Sequence, residues 1–322
     1  MTTINMTHIK WILVSFVIIL SSCEGPFVFE ARSEVDLSQI SEGKVFISTQ
    51  VGTNSLFANT ETGEVLNVPT PNQGGGASVD LVNEVIYGTN SSGKLYKAAI
   101  EDWKWEFTGD SLGFQITLTQ ISPDGKRLYF GDFGSAFPSL KFLNLEEGFT
   151  TTVGTNLSFT PFAINPVGGK LATVIDGRGI ELNAIFLIDP EDGSQVRLVT
   201  GKDISSDPNF IISTSFIGLK WYPDGNKLAF WDFAESKLGI IDIATRNLSY
   251  IDLGGELFNP SFAFSPDLSQ LIFSNDQDLF VADWQDGPTP SVSNIQLWLN
   301  LRETTAVERS FADNVVQIFW WR

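Results

Sequence analysis

The sequence has very few of the side chains that enzymes use for nucleophilic and acid–base chemistry. Its 322 residues include one histidine, His8, and one cysteine, Cys23. A single cysteine excludes an intramolecular disulfide bond. Removal of residues 1–22, argued below, would leave no imidazole, which excludes Ser-His-Asp and Cys-His catalysis and histidine-ligated zinc. We therefore expect a protein that is not an enzyme and that needs no cofactor, with Ca²⁺ as the one metal left open.

Positive charge is also scarce. There are 20 Lys and Arg residues against 38 Asp and Glu residues, which gives a formal net charge of -18. Such a surface repels nucleic acids and anionic lipid headgroups, so we expect no nucleic-acid partner. The charge is typical of a protein that must stay soluble outside the cell, and attraction of cations such as Ca²⁺ is the alternative interpretation.

The N-terminal 22 residues contain one strongly apolar run, and it is short. Residues 11–20 are almost entirely apolar and follow Lys10, but ten residues at 1.5 Å each are too few for a bilayer core of about 30 Å. They fit the hydrophobic region of a secretory signal peptide. The sequence Leu20-Ser-Ser-Cys23 comes directly afterwards and resembles the lipobox of bacterial lipoproteins.

That resemblance implies that residues 1–22 are removed and that Cys23 is lipidated, so that the membrane becomes a partner through the anchored N-terminus. Residues 23–40 would then be the lipidated cysteine and a tether. The residue after the cysteine is Glu24 rather than the aspartate associated with inner-membrane retention, which favours the outer membrane of the cell envelope, on either face. Ordinary secretion with an incidental Cys23 is the alternative.

The rest of the chain contains a repeat. Four stretches share a proline between two apolar segments, and three of them continue with Asp: Ile121–Phe130, Ile164–Thr173, Trp221–Phe230 and Phe264–Phe273. A fifth copy, Ser78–Tyr87, has Asp80 in the proline position. The key residues at 80, 123, 166, 223 and 266 are 43, 43, 57 and 43 positions apart. A period of about 40–45 residues with strands and turns is typical of β-propeller blades.

Each repeat predicts a four-stranded antiparallel blade. Pro-Asp-Gly between the first two strands suits a tight hairpin, because proline fixes φ and glycine adopts a positive φ. Residues 42–70 contain only three strand-like segments, and the C-terminal segment Val315–Arg322 supplies a candidate for the missing inner strand. Pairing the chain ends would leave no open sheet edge. We therefore predict an all-β domain over residues 41–322, a six-bladed propeller closed by its C-terminal strand, with seven blades as the alternative.

Ser122-Pro-Asp-Gly-Lys-Arg-Leu-Tyr-Phe130 and its copies resemble the propeller repeats of TolB and of prolyl peptidases. Val79–Tyr87 together with Gly93-Lys-Leu-Tyr96 is closer to the YWTD-type blades of six-bladed propellers. The resemblance covers about residues 40–322. It implies a fold and leaves the function open, because propellers carry many unrelated activities.

Candidate site residues follow from the strand pattern. Carboxylates and amides recur where second strands end, and the candidates are Asp132, Asp176, Asp232, Asn275 and Asp276. They are typical of hydrogen bonds in turns and between blades. The alternative is a ring of oxygen ligands for Ca²⁺, as in the lactonases of the senescence-marker type, although no motif of those enzymes matches. Trp298 is a further candidate for a binding rim, while Trp103, Trp105 and Phe107 alternate and are predicted to share one strand face.

Insertions suggest where recognition occurs. The interval of 57 residues between the repeat prolines at 166 and 223 contains residues 202–213, and a second insertion covers about 296–314. Both are expected in blade-to-blade connections, hence on one face, and long loops on a rigid scaffold often carry function. Three hypotheses remain: an envelope-anchored module that binds a protein, peptide or glycan on that face; a metal-dependent hydrolase with carboxylates at the channel; and a structural component of an envelope assembly.

Overall fold

The computed structural model describes residues 35–322 apart from several segments. Outside the description lie 1–34, 50–53, 70, 72–76, 91, 114–115, 133–138, 156–160, 176–183, 201–215, 234, 256, 258–259, 276–277 and 302–314. Cys23, Asp176, Asp276, the 202–213 insertion and the proposed signal peptide therefore fall outside the described residues. All described residues belong to one compact unit, Ala31–Arg322. None of their helices has the length and apolarity to span a membrane.

In the described part of the chain, twenty-four strands form six sheets of four, each a blade of antiparallel strands. Blade one contains β1 (Lys44–Thr49), β2 (Asn54–Asn59) and β3 (Glu64–Pro69), and blade two contains β4 (Ser78–Asp80), β5 (Val85–Thr89), β6 (Lys94–Ala99) and β7 (Glu106–Ser111). Blade three contains β8 (Ile116–Ile121), β9 (Arg127–Asp132), β10 (Ser139–Asn144) and β11 (Thr150–Thr155), and blade four contains β12 (Phe162–Ile164), β13 (Leu171–Ile175), β14 (Ala184–Ile188) and β15 (Gln195–Thr200). Blade five contains β16 (Phe216–Trp221), β17 (Lys227–Asp232), β18 (Lys237–Asp242) and β19 (Leu248–Ile251). Blade six contains β20 (Phe262–Phe264), β21 (Gln270–Asn275), β22 (Asp278–Gln285) and β23 (Ser291–Asn300).

The last strand, β24 (Val315–Trp321), is the inner strand of blade one. It pairs antiparallel with β1, and the partners include Lys44 with Trp321, Val45 with Trp320 and Phe46 with Phe319. The sequence prediction of an all-β, six-bladed propeller closed by its C-terminal strand is thereby confirmed. The closure leaves β1 paired on both sides, so its backbone groups do not form an unpaired strand edge that could pair with another chain.

Strand registers define two faces of the ring. In blade three, Ile116 at the start of the inner strand lies opposite Asp132 at the end of β9, whereas Ile121 at its end lies opposite Leu128. We call the end that carries the first-to-second and third-to-fourth turns the turn face. The opposite end, with the second-to-third loops and the blade-to-blade connections, is the loop face.

The Pro-Asp-Gly turns fit closely against neighbouring blades. Gly125 and Gly225 have φ of +71° and +72°, a region that glycine enters without steric cost. A Cβ on Gly125 would meet the carboxylate of Asp80 in blade two at 3.0 Å, and one on Gly225 would overlap Asn165 in blade four. The Asn165 amide also donates to the Gly225 carbonyl, at 3.1 Å. Glycine is thus needed both for the turn and for contact between blades.

Blade interfaces are apolar and well filled. Between blades one and two, Phe46 stacks on Trp103 with ring centroids 6.0 Å apart, and Phe57 contacts the same indole at 4.9 Å. On the other side of blade one, the cluster with Ile318 and Ile272 continues into blade six. Burial of apolar area at such interfaces is the main stabilising contribution to the fold.

Residues 35–41, the end of the predicted tether, pack on blade six. A short 3₁₀ helix covers Leu37–Gln39, and Val35 and Ile40 are buried in the cluster shared by blades six and one. The Gln270 side chain accepts from the Ser41 amide and donates to the Gln39 carbonyl, at 2.6 and 3.1 Å. The described structure therefore fastens this segment to the propeller several residues before β1.

Candidate binding site

A cavity of about 630 Å³ occupies the turn-face end of the central channel. All six blades contribute to it through their inner strands and the turns that follow. Its lining consists of Ser78, Val79, Leu81, Gln120, Ile121, Ser122, Pro123, Ala163, Ile164, Pro166, Lys220, Trp221, Pro223, Ala263, Phe264, Pro266, Ile318, Phe319, Trp320, Trp321 and Arg322. The four repeat prolines thus surround the mouth of the cavity.

The rim of the mouth is apolar and open to solvent. Leu81 and Val82, in the turn between β4 and β5, are 54% and 62% exposed, and Val167, next to Pro166, is 68% exposed. Single exposed apolar residues are common on protein surfaces. Here Leu81 lines an apolar cavity, and Val82 and Val167 each follow a lining residue in sequence, an arrangement that is typical of ligand and partner sites.

Lys220 is the cation inside this cavity. It lies on β16 of blade five, and its Nζ donates to the Ile318 carbonyl of blade one at 3.0 Å. The same Nζ lies 4.7 Å from the ring centroid of Phe319. Blade six stands between these blades in the ring. Its inner strand has Ala263 at the position equivalent to Lys220, because Ala263 pairs with Ile272 on the second strand just as Lys220 pairs with Ala229. The small Ala263 side chain leaves room for the lysine to cross.

The surroundings of Lys220 weaken its charge. Because the side chain faces the cavity rather than bulk water, desolvation lowers the pKa of Lys220 to about 8. Within the described residues no carboxylate pairs with its ammonium group, and Ile318 supplies a neutral carbonyl. An ammonium group has three donors, so capacity for an anionic acceptor remains.

The charge of the lining is opposite to that of the whole chain. Lys220 and Arg322 are its charged members, and none of the 21 lining residues is Asp or Glu. The chain as a whole has 38 acidic and 20 basic residues. Since a channel with low-dielectric walls focuses the field of its charges, the lining favours an anion inside the channel, whereas Asp124, Asp224 and Asp267 follow the repeat prolines at the mouth.

Gln120 fixes the spacing of two inner strands at the cavity wall. Its Nε2 donates to the Phe162 carbonyl at 2.7 Å, and its Oε1 accepts from the Ile164 amide at 2.9 Å. Both partners are backbone groups of β12 in the next blade. Trp221 forms a similar link, because its indole N–H donates to the Ala163 carbonyl at 3.0 Å. These contacts hold the wall rigid around the cavity.

The predicted carboxylate candidates lie at the loop face. Asp132 is opposite Ile116 and forms an ion pair with Lys141 at 2.6 Å. Asp232 is buried, opposite Phe216, and accepts from the Tyr250 hydroxyl at 2.9 Å. The nearby Asp232 charge and burial raise the pKa of Tyr250, with burial the larger cause.

Asn275 ends β21 and pairs in register with Asp278, also at the loop face, and Asp176 and Asp276 lie outside the described residues. The structure thus brings none of the described candidates to the cavity. Among the described residues there is no group of three or more His, Cys, Asp or Glu that could hold a metal ion.

Trp298 lies in the core rather than on a rim. It is 6% exposed, and its indole N–H donates to the Asp36 carbonyl at 3.1 Å. Its physical role in the structure is to attach the segment before β1 to blade six. The neighbouring Gln296–Asn300 belongs to strand β23, so the second insertion is shorter than predicted and begins after that strand.

The prediction that Trp103, Trp105 and Phe107 share one strand face was wrong. Trp103 lies in the turn after β6 with φ of +55° and is buried, whereas Phe107 lies on β7 and is 49% exposed. Packing against Phe46 and Phe57 compensates for a backbone conformation that bulky residues rarely adopt. Position in a turn, rather than strand alternation, decides where these rings point.

The sequence analysis did not single out Lys220. The available signal was a lysine within the apolar inner strand Phe216-Ile-Gly-Leu-Lys-Trp221, a position where the other repeats have Gln120, Ala163 and Ala263. Sequence alone could not show that the side chain reaches past blade six to blade one.

Comparison with known proteins supports the fold assignment. No family model matches the chain. A TolB homolog from Chlorobium luteolum is 26% identical over 168 residues, which are 51% of this chain and 35% of that protein, so the match spans about a third of the relative's length. The structure of a putative TolB from Agrobacterium tumefaciens superposes with a TM-score of 0.51 at 13% identity, covering 87% of this chain and 91% of that one.

An oligogalacturonate lyase in complex with manganese superposes equally well, with a TM-score of 0.51 at 11% identity over 80% of this chain and 82% of that one. Identities this low show a shared fold and carry no activity across. The chain is a six-bladed β-propeller that is similar in fold to TolB.

Proposed function

We propose that this chain is a non-enzymatic binding module of the cell envelope, which receives a segment of a protein or peptide partner at the turn-face mouth of its central channel. The observation that carries the proposal is the cavity of about 630 Å³ with its exposed apolar rim. Ligand sites of proteins are commonly clefts of about 300–1,000 Å³ with apolar walls and a few polar groups. Six rigid blades hold the walls in place.

The side chains in the lining favour binding over catalysis. Its hydroxyl groups are Ser78 and Ser122, and the Ser122 hydroxyl already donates to the Asp124 carboxylate at 2.5 Å. A nucleophilic serine needs an effective base within hydrogen-bond reach. The hydrogen bond from Ser122 lowers the pKa of Asp124, which makes this carboxylate a weak base, and the described lining contains no histidine. Five aromatic rings and four prolines instead offer broad apolar contact of the kind that peptide segments use.

Membrane attachment is the second part of the proposal. It rests on the lipobox-like Leu20-Ser-Ser-Cys23 after an apolar run of ten residues, because two or more acyl chains on one cysteine anchor a protein stably. Outer-membrane placement is favoured by Glu24. Metabolic labelling with radioactive palmitate tests this part: Cys23→Ser should abolish both the label and membrane fractionation, and a labelled Cys23→Ser protein would refute it.

The binding part is tested by photo-crosslinking in living cells. A benzoyl-phenylalanine placed at Val167 reports on the turn face, and one at Phe233, which is 48% exposed, reports on the loop face. We expect discrete protein adducts from position 167 and not from position 233. Adducts from position 233 alone would move recognition to the loop face. Absence of adducts at both positions would contradict a binding module and favour a structural component.

A further inference from the structure

The central cavity combines three features that together specify the chemistry of its ligand. Its walls are apolar, its described lining holds no Asp or Glu side chain, and Lys220 extends across it with one hydrogen bond to a neutral carbonyl. Building on the proposed function, we infer that the cavity binds the C-terminal end of an apolar polypeptide segment and that Lys220 holds its terminal carboxylate.

An anion is the ligand group that fits Lys220. A half-buried ammonium group without a counter-ion carries a cost, because a single neutral acceptor replaces only part of its lost hydration. A carboxylate within hydrogen-bond distance would satisfy a second donor and form a charge-assisted hydrogen bond, which is roughly twice as strong as a neutral one. Phe319 already covers the cation on one side at 4.7 Å, so the open side is the cavity.

The depth of Lys220 favours a chain end over an internal acidic residue. Lys220 is the second-last residue of β16, and Pro223 at the mouth follows it by three residues. At about 3.3 Å per residue this is a depth of roughly 10 Å. A chain terminus reaches it with one extended strand, whereas an internal Asp or Glu would require the backbone to enter and leave through the same mouth.

Apolar residues should precede the terminal carboxylate. Between Lys220 and the mouth the ligand would pass Trp221, Phe264 and Ile164, and at the rim it would meet Leu81 and the prolines. Acidic residues outside the cavity would be disfavoured by the net charge of -18 of the chain. Arg322 at the mouth is exposed and adds attraction that solvent weakens.

The test uses two pools of acetylated hexapeptides with random Ala, Val, Leu, Phe and Pro, one with free carboxyl termini and one with C-terminal amides. Affinity selection on the purified full chain, read by mass spectrometry, measures which peptides are retained. We expect free acids to be enriched at least about ten-fold over amides, a factor that corresponds to about 1.4 kcal/mol. The variant Lys220→Met should lose this preference while it still retains peptides weakly.

Two further variants separate the charge from the cavity. Lys97→Met replaces an exposed lysine on the third strand of blade two and should keep the full preference for acids. Ala263→Val fills space beside Lys220 without removing its charge. It should weaken the binding of peptides with free carboxyl termini and of peptide amides to the same extent. Wild-type protein alone gives an independent measurement, because the preference should fall above about pH 9 as Lys220 loses its proton. The peptide carboxylate keeps its charge over this range.

The outcomes are distinct. Equal retention of acids and amides by the wild type would overturn the inference about Lys220 and leave the proposed binding function standing. An acid preference that survives in Lys220→Met would place the anion elsewhere and also overturn it. Displacement of the peptides by dodecanoate at equal concentration would assign the cavity to fatty acids instead of polypeptide ends. Retention of no peptide, combined with no adduct from position 167, would overturn both the inference and the proposed function.

Discussion

Trp320, the second-last residue of the final strand, lies directly opposite Val45 in the first strand. The pairing joins the two ends of the ring and also builds the site, because Ile318, Phe319, Trp320 and Trp321 line the cavity. The acceptor for Lys220 is a carbonyl of the same strand. Ring closure and the candidate site therefore depend on one segment of eight residues.

Loss of this segment should prevent stable folding. Deleting residues 315–322 leaves the inner edge of β1 unpaired and exposes the cluster around Val45 and Ile47, so we expect insoluble or protease-sensitive protein. The milder Trp320→Ala should cost about 3–5 kcal/mol of unfolding free energy, measured by urea denaturation. The exposed Arg322→Ala is the control and should change stability by less than about 0.5 kcal/mol. A truncated chain with wild-type melting would refute the closure.

Gly239 lies in a regular strand at a position with no room for a larger side chain. It lies on β18 opposite Phe230, and a Cβ built on it would overlap the Phe230 ring. Gly239→Ala should therefore cost about 1–3 kcal/mol, as overpacking does in filled cores. Gly154→Ala is a matched control, since Gly154 is also in a strand and its Cβ would meet its nearest neighbour at an ordinary 3.8 Å. Equal unfolding midpoints in urea for the two variants would contradict this reading.

The Gln120 link between blades three and four gives a third prediction. Gln120→Leu keeps the size of the side chain but leaves the Ile164 amide and the Phe162 carbonyl without this partner. Unpaired groups of this kind cost about 1–3 kcal/mol each at buried sites, and we expect a loss in that range in urea denaturation. Gln195→Leu, on an exposed part of β15, is the control. Comparable midpoints for both variants would show that the link does not stabilise the wall.

The sequence was informative about the fold because its signals are local. The recurring prolines, mostly 43 residues apart, mark hairpin turns. The aromatic tail indicates the closure, because the first blade has only three strand-like segments of its own. Each signal can be recognised within a short stretch of sequence or by counting strands. The site could not be predicted in this way. Recurrence of Asp132 and Asp232 looks the same whether these carboxylates face a channel or, as observed, hydrogen-bond within their own blades at the loop face. The role of Lys220 depends on a contact between blades that are not neighbours.

Calcium should not stabilise the protein through the channel end described here. The lining of the cavity has no Asp or Glu, whereas Ca²⁺ takes 6–8 oxygen ligands and usually several carboxylates. Thermal melting with calcium or manganese at millimolar concentration should therefore match melting with magnesium sulfate or without metal. A rise in Tm with calcium alone would revive the metal-dependent hydrolase and direct attention to the loop face, where Asp132 and Asp232 lie.

The free energy of unfolding should depend on pH because of the desolvated ammonium group of Lys220. Its pKa is lowered to about 8 in the folded chain, against about 10.4 in an unfolded one. Between these values the unfolded chain binds more protons than the folded chain, so this group makes stability rise with pH over that window and opposes folding below it.

Lys220→Met removes the effect. Its Tm should exceed that of the wild type at pH 7, and the difference should shrink between pH 8 and pH 10, as measured by circular dichroism. Titrations common to both proteins cancel in this difference, and Lys97→Met provides the baseline for loss of an exposed lysine. A difference between Lys220→Met and wild type that stays constant with pH would show that the ammonium group is well solvated, and that the channel wall does not hold an unpaired cation.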